Sequence, residues 1–260
     1  YNSLVVMNKF IPSKIKQSDF VKSIFTLFNL YTTIDQFNSS KLILKTRDKF
    51  YDEGKEKDWT NKIDKSKEQI ITFLPALHSK RTILSYKKDT DEANKGYFDA
   101  TREIYGQVEY VFNNEFVKDT ELKELIFAPT PIIKTSFNAV VPMINGKTPK
   151  NIIRLLYDGG EFDCDSFTII NVAGNEVDSE VYPSISHFDR PDNPTYDLNF
   201  AICDFYFLTS IGSKTNNTRF NAHWRRTFNQ INNGNMLTAN FDLNEIDIHN
   251  MRLSDRIFIL

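Results

Sequence analysis

Histidine is the residue type most able to do chemistry near neutral pH, and this chain has four: His78, His187, His223 and His249. None sits in an H-E-x-x-H, C-x-x-C or phosphate-loop pattern. His187 precedes Asp189 and Asp192, which sketches the start of a metal set. A zinc site needs three or four converging ligands, so this segment reads as a solvated loop. Asp89, Asp91, Glu92 and Asn94 form an acidic cluster. A calcium loop would place Gly sixth and Glu twelfth, where this chain has Asn94 and Ala100. The cluster therefore reads as a solvated turn. Asp163 and Asp165 straddle Cys164 and, in a strand, would face the same way. Glycosidases use two carboxylates at a set separation across a cleft. In a chain with 34 acidic residues such pairs arise by chance. No catalytic, metal or cofactor site is expected.

Two arginines, Arg225 and Arg226, lie opposite an apolar stripe of Phe220, Trp224, Phe228 and Ile231. That spacing predicts an amphipathic helix over residues 219–231, ended at Gly234. Thr215 or Asn217 would cap it. The stripe should be buried against a sheet containing residues 237–243. The arginines read as its solvated side or as intersubunit ion-pair donors. Trp59 and Trp224 read as core or interface anchors rather than sugar platforms. Trp59, Phe220, Trp224, Arg225, Arg226 and Phe228 are thus the candidate packing and assembly residues.

The elements that must position these residues are mostly strands. A helix opens at Ser18-Asp19, with Phe20, Ile24, Leu27 and Phe28 on one stripe. A hairpin follows, residues 31–35 and 41–46 flanking Asn38-Ser39-Ser40. Further strands fit residues 4–7, 69–73, 81–87, 107–112, 122–128, 132–141, 152–157, 167–172 and 198–207. Residues 89–105 are polar with sparse anchors, and residues 187–194 read as a loop. Pro129-Thr130-Pro131 reads as a stiff connector, dividing a β-rich domain at 1–128 from a second at 129–260.

Composition agrees with a folded β-rich protein. The chain has 260 residues, 22 of them Phe, and 40% are hydrophobic. Phe, Tyr, Ile, Val and Thr suit pleated, half-buried surfaces. A net charge of −2 gives no reason to expect nucleic-acid coating. No apolar run is long enough for a transmembrane helix. Cys164 and Cys203 are too few for a disulfide scaffold and read as reduced strand or core residues. The final stretch D-R-I-F-I-L alternates like a strand without a terminating turn, and the chain begins at Tyr1; both suggest a segment of a longer or processed polypeptide.

Several motifs resemble one family. They include D-F-V-K-S-I-F-T-L-F-N-L-Y, K-L-I-L-K-T-R-D-K-F-Y, D-W-T-N-K-I-D, Y-G-Q-V-E-Y and F-A-P-T-P. Towards the C-terminus come Y-D-L-N-F, F-x-x-x-W-R-R-x-F-x-Q-I and L-T-A-N-F-D-L-x-x-x-D-I. Together they are similar to hub-like structural proteins of the bacteriophage tail tip or baseplate, of the type found in phages of Bacteroidetes hosts. The likeness is weakest over residues 145–192, and a final strand usual in the family is missing. It implies a mainly β (α+β) fold of two β-barrel-like or β-sandwich domains with inserted amphipathic helices. It also implies a non-enzymatic virion protein, made in the host cytoplasm, that assembles as a homo-oligomer, most simply a trimer. The partners implied are other tail proteins, with DNA met only in passing through a channel. A tail-associated carbohydrate- or peptidoglycan-degrading enzyme and a host-receptor-binding module are the alternatives.

Overall fold

The computed structural model describes residues 15–35, 38–144, 152–171, 173–203 and 214–260. The strand expected at residues 4–7, and the 198–207 strand beyond Cys203, lie outside these residues. Strands and short helices alternate, and the strands form sheets of two or three. Among the described residues no sheet closes into a barrel. The chain divides into two units. The first is Tyr1–Leu27, Ile83–Glu109 and Leu122–Ala222; the second is Phe28–Thr82, Tyr110–Glu121 and His223–Leu260. Pro129-Thr130-Pro131, the expected boundary, is buried within the first unit.

The first unit opens with helix α1 (Gln17–Phe28), whose early Asp19 suits the positive end of the helix dipole. Leu27 is fully buried, while Phe20 and Val21, expected on or beside the buried stripe, are about half exposed. Phe20 meets Phe127 edge-on at 5.7 Å, and Ser23 Oγ accepts the Ile126 N–H. Helix α3 (Glu92–Thr101) forms in the segment read as polar loop. Asp91 is its N-cap, accepting from the Asn94 N–H, and Arg102 ends it in the left-handed region at φ 63°. Residues 132–141 are a hairpin rather than one strand. β8 (Ile132–Lys134) and β9 (Val140–Pro142) pair antiparallel around Asn138, at φ 64°. Tyr97, Tyr105, Ile132, Val140 and Phe188 make the core beside them.

The longest feature is an antiparallel ribbon of β10 (Tyr157–Ile170) and β11 (Glu176–Ser186). Its register slips between Asp158 and Gly160 and between Asp163 and Phe167. Its base lies on the body of the unit, where Tyr182, Ser184 and Ser186 are buried and Tyr182 Oη accepts the Val140 N–H. The β8–β9 turn supports it further out, Phe137 stacking on Phe167 at 4.6 Å.

The second unit is built from small sheets. β1 (Leu30–Ile34) and β2 (Leu42–Thr46) form the expected hairpin. Helix α2 (Arg47–Asp52) follows and buries Phe50 against Tyr31 at 5.1 Å. β3 (Glu56–Asp58) pairs in parallel with β13 (Arg256–Phe258). The last strand therefore has a partner within its own chain. Gly54 makes this closure possible: a Cβ there would lie 1.8 Å from the Ser254 carbonyl oxygen. β4 (Ile70–Phe73) pairs with β12 (Asn235–Thr238). A π-helical turn, Phe220–Trp224, leads into α4 (Arg225–Asn233). α5 (Glu245–Asn250) carries a reciprocal cap between Asn244 and Asp247. β5 (Arg81–Ser85), β6 (Val108–Val111) and β7 (Thr120–Glu124) form a sheet ordered β6-β5-β7.

Candidate functional site

The residues with the most chemical look are sealed in the first unit. His187 is 3% exposed and Asp197 1%. His187 Nδ1–H donates to Asp197 Oδ1 at 2.8 Å, and Nε2 accepts the Tyr105 hydroxyl at 3.0 Å. Asp197 Oδ1 also accepts the Asn199 N–H at 2.9 Å. The order hydroxyl, imidazole, carboxylate is that of a nucleophile, a base and an orienting group. Tyr105 is itself only 2% exposed, closed off from bulk solvent. The reading of His187 as a solvated loop residue is corrected: partners distant in sequence satisfy both ring nitrogens and make its burial affordable.

The surroundings repeat that logic. Gly106, at φ 80°, brings its backbone against Asn199, and its N–H donates to Cys203 Sγ at 3.0 Å. Burial, then the Asp197 carboxylate, drives the Tyr86 hydroxyl well above its ordinary range, and it donates to the Leu198 carbonyl at 2.7 Å. Burial, then Cys203, raises Tyr97 to about 12. These hydroxyls stay protonated, and that of Tyr86 serves as a donor. Neither Cys203 nor Cys164 is in a disulfide.

Asp89 and Asp91 are also buried rather than solvated. Arg154 pairs with both and donates to the Pro129 carbonyl. A guanidinium thus occupies the place where a calcium ion would have had to sit. Among the described residues no group of three or more His, Cys, Asp or Glu side chains could hold a metal. Asp163 and Asp165 lie exposed on the ribbon, not across a cleft, and Asp165 accepts from the Asn138 side chain.

The candidate packing residues fall in different settings. Trp59 is 7% exposed, packs on Phe241 at 5.4 Å, and donates its backbone N–H to the Phe258 carbonyl. Trp224 and Phe228 are buried and touch at 5.3 Å. Their neighbours differ from the expected sheet: Phe228 packs on Tyr110 and Phe112 at 5.0 and 5.3 Å, and every residue of β12 is exposed. Phe220 is half-buried. The turn from it to Trp224 is π-helical. Arg225 and Arg226 are exposed, and Arg226 pairs with Asp48 at 2.8 Å.

Sequence reasoning passed over the second unit's open apolar faces. In the β1–β2 hairpin Ile34 stands opposite Leu42, with Leu44 on the same side. Ile34 and Leu42 are 62% and 65% exposed. In the β4–β12 pair Ile71 faces Leu237, and Phe73 continues that side at 71% exposure. Ile70 and Met236 are exposed on the other side. The signal was present: Leu42-Ile43-Leu44 and Ile70-Ile71-Thr72-Phe73 put apolar residues on both faces of a strand.

No protein-family model, curated protein or solved structure matches the chain. Among the described residues no helix is long and apolar enough to cross a membrane.

Proposed function

We propose that this chain is a structural subunit that assembles with copies of itself, in the role of a hub-like adaptor at a phage tail tip. It would join the tail tube to a spike or fibre and line a passage for DNA. The observation that carries the assembly reading is the pair of open apolar ribbons, β1–β2 and β4–β12. A lone two-stranded ribbon is marginal in water. Exposed strand edges with apolar side chains invite pairing with another chain, and symmetric assembly covers them. The tail-tip setting rests on the resemblance of the quoted motifs. Barrel-like or sandwich domains, which that resemblance implies, would be completed in the assembly by strands of neighbouring copies. The burial of the His187–Asp197–Tyr105 chain favours this reading over a tail-associated hydrolase.

Light scattering coupled to size exclusion, followed by negative-stain imaging, tests the proposal. A closed ring of three copies at micromolar concentration is the expected result. A chain that stays monomeric at those concentrations contradicts it, and turnover of peptidoglycan or capsule would replace it with an enzyme.

A further inference from the structure

The β10–β11 ribbon has an unusual charge. Between Tyr157 and Ser186 there are seven Asp and Glu and no Lys or Arg. The whole chain has 32 basic and 34 acidic residues, so the remainder has 32 basic and 27 acidic, a surplus of five positive charges. A nearly neutral protein is therefore split into an acidic ribbon and a basic remainder.

The register sets three of these carboxylates, Asp158, Glu161 and Asp163, on one face. Phe162, Tyr182 and Ser184 point to the body of the unit, where Tyr182 and Ser184 are buried. The opposite side carries Asp158 across from Ile185, Glu161 across from Pro183, and Asp163 across from Val181. All six are exposed, Val181 by 44% and Ile185 by 43%. Carboxylates thus stand across from exposed apolar side chains on a sheet face that pairs with no further strand among the described residues. Like charges gathered on one face repel, and nothing within the ribbon offsets them. Partial desolvation and then the carboxylates of Asp165, Asp163 and Glu180 push the Cys164 thiol up, as a locally negative field requires. A Lys or Arg side chain has an apolar stem and a cationic head, which matches both halves of the pattern.

We infer that the outer face of the β10–β11 ribbon docks onto Lys and Arg side chains of a second copy of this chain. Its carboxylates would pair with that copy's Lys and Arg heads while their stems cover Val181 and Ile185. The occupant follows from charge complementarity: the surplus cation that the ribbon lacks is carried by the rest of the same sequence. Complementary charge of this kind sets partner choice and register. The inference rests on the self-assembly reading and names the surface that performs it.

The test uses the full chain and the double variant Glu161→Lys/Asp163→Lys. Both positions are exposed, so thermal melting should match the parent, and Glu161→Gln/Asp163→Asn serves as the milder second variant. Sedimentation velocity should show self-association at least tenfold weaker in the Lys variant and an intermediate loss in the amide variant. Parent association should also weaken as salt is raised, since exposed charges are screened. In a mixture of 14N- and 15N-labelled chains, a carbodiimide should link Glu161 or Asp163 to lysines of the other label. Association unchanged or strengthened in the Lys variant, as charges that only guard ribbon edges would give, overturns the docking face but leaves self-assembly standing. Links confined to single copies overturn it likewise. A parent chain that never associates overturns the self-assembly reading itself.

Discussion

The polar centre of the first unit and the apolar ribbons of the second invert the usual arrangement. In the first, a histidine, an aspartate and a tyrosine that might have served catalysis are enclosed and paired. In the second, isoleucine, leucine and phenylalanine that might have filled a core face solvent. The contrast teaches where each region spends its interactions. A buried polar network, once satisfied, fixes a unique packing; an open apolar face is finished only by a partner. The first region holds its own unit together, and in the proposed assembly the second would join the chain to other copies.

The sharpest way to break the comparison is to damage the interior. Trp224→Ala should lower stability by about 3–5 kcal/mol, the cost of emptying a large aromatic site, read from the denaturant midpoint. A variant melting like the parent would mean that the Trp224–Phe228 contact does not organise the second unit. In the first unit, Asp197→Ala strands the His187 and Asn199 N–H groups. It should cost about 1–3 kcal/mol per stranded donor, read the same way, with Asp197→Asn milder because an amide oxygen can still accept. If the network served catalysis instead, these variants would abolish a turnover while barely shifting the melt.

The interior and the surface were not equally legible in the sequence. Helix α1, the β1–β2 hairpin and the helix after Arg219 announced themselves by periodicity and turn residues, because each has one face against a core. Helix α3 did not: its buried face is Ala93, Asn94 and Tyr97, too polar and sparse for a stripe. Most of the β10–β11 ribbon was missed because both its faces carry acidic residues and its far end has no buried side. His187 and Asp89 were taken for solvated residues because their partners, Tyr105 and Arg154, are remote in the chain. Pairing across such separations is decided by topology, and local pattern carries no trace of it.

Acid offers a gentler probe of the second unit. Asp255 accepts the backbone N–H groups of Lys55 and Arg252 and pairs with Lys57. Burial alone would raise its carboxyl, but these donors together outweigh it and hold it at about 2. A carboxyl depressed below its unfolded value of roughly 4 stabilises the fold above that pH, and the contribution fades as pH falls from about 4 towards 2. Protection factors in β13, exchange rates corrected for the intrinsic pH dependence of amide exchange, should fall over that window in the parent. Asp255→Asn should show lower protection at pH 7 and little further loss of protection in acid; a loss equal to the parent's would assign the effect to another carboxyl.

Surface changes should be smallest in stability and clearest in assembly. Ile71→Asp with Leu237→Asp should move the melt by no more than about 0.5 kcal/mol, as exposed sites do, yet reduce self-association in sedimentation. Arg226→Ala removes an exposed pair with Asp48 and should cost about 0–1 kcal/mol in the isolated chain. A large loss of stability in the ribbon variant would show that these side chains are core, and the contrast between the two regions would fail.

The measurement closest to the central claim is the mass distribution of the unmodified chain by mass photometry and light scattering across micromolar concentrations. The account predicts a discrete closed oligomer, three copies in the simplest case, that the Ile71→Asp/Leu237→Asp variant cannot form. A parent chain that remains monomeric over the whole range, with its apolar ribbons uncovered, would contradict it.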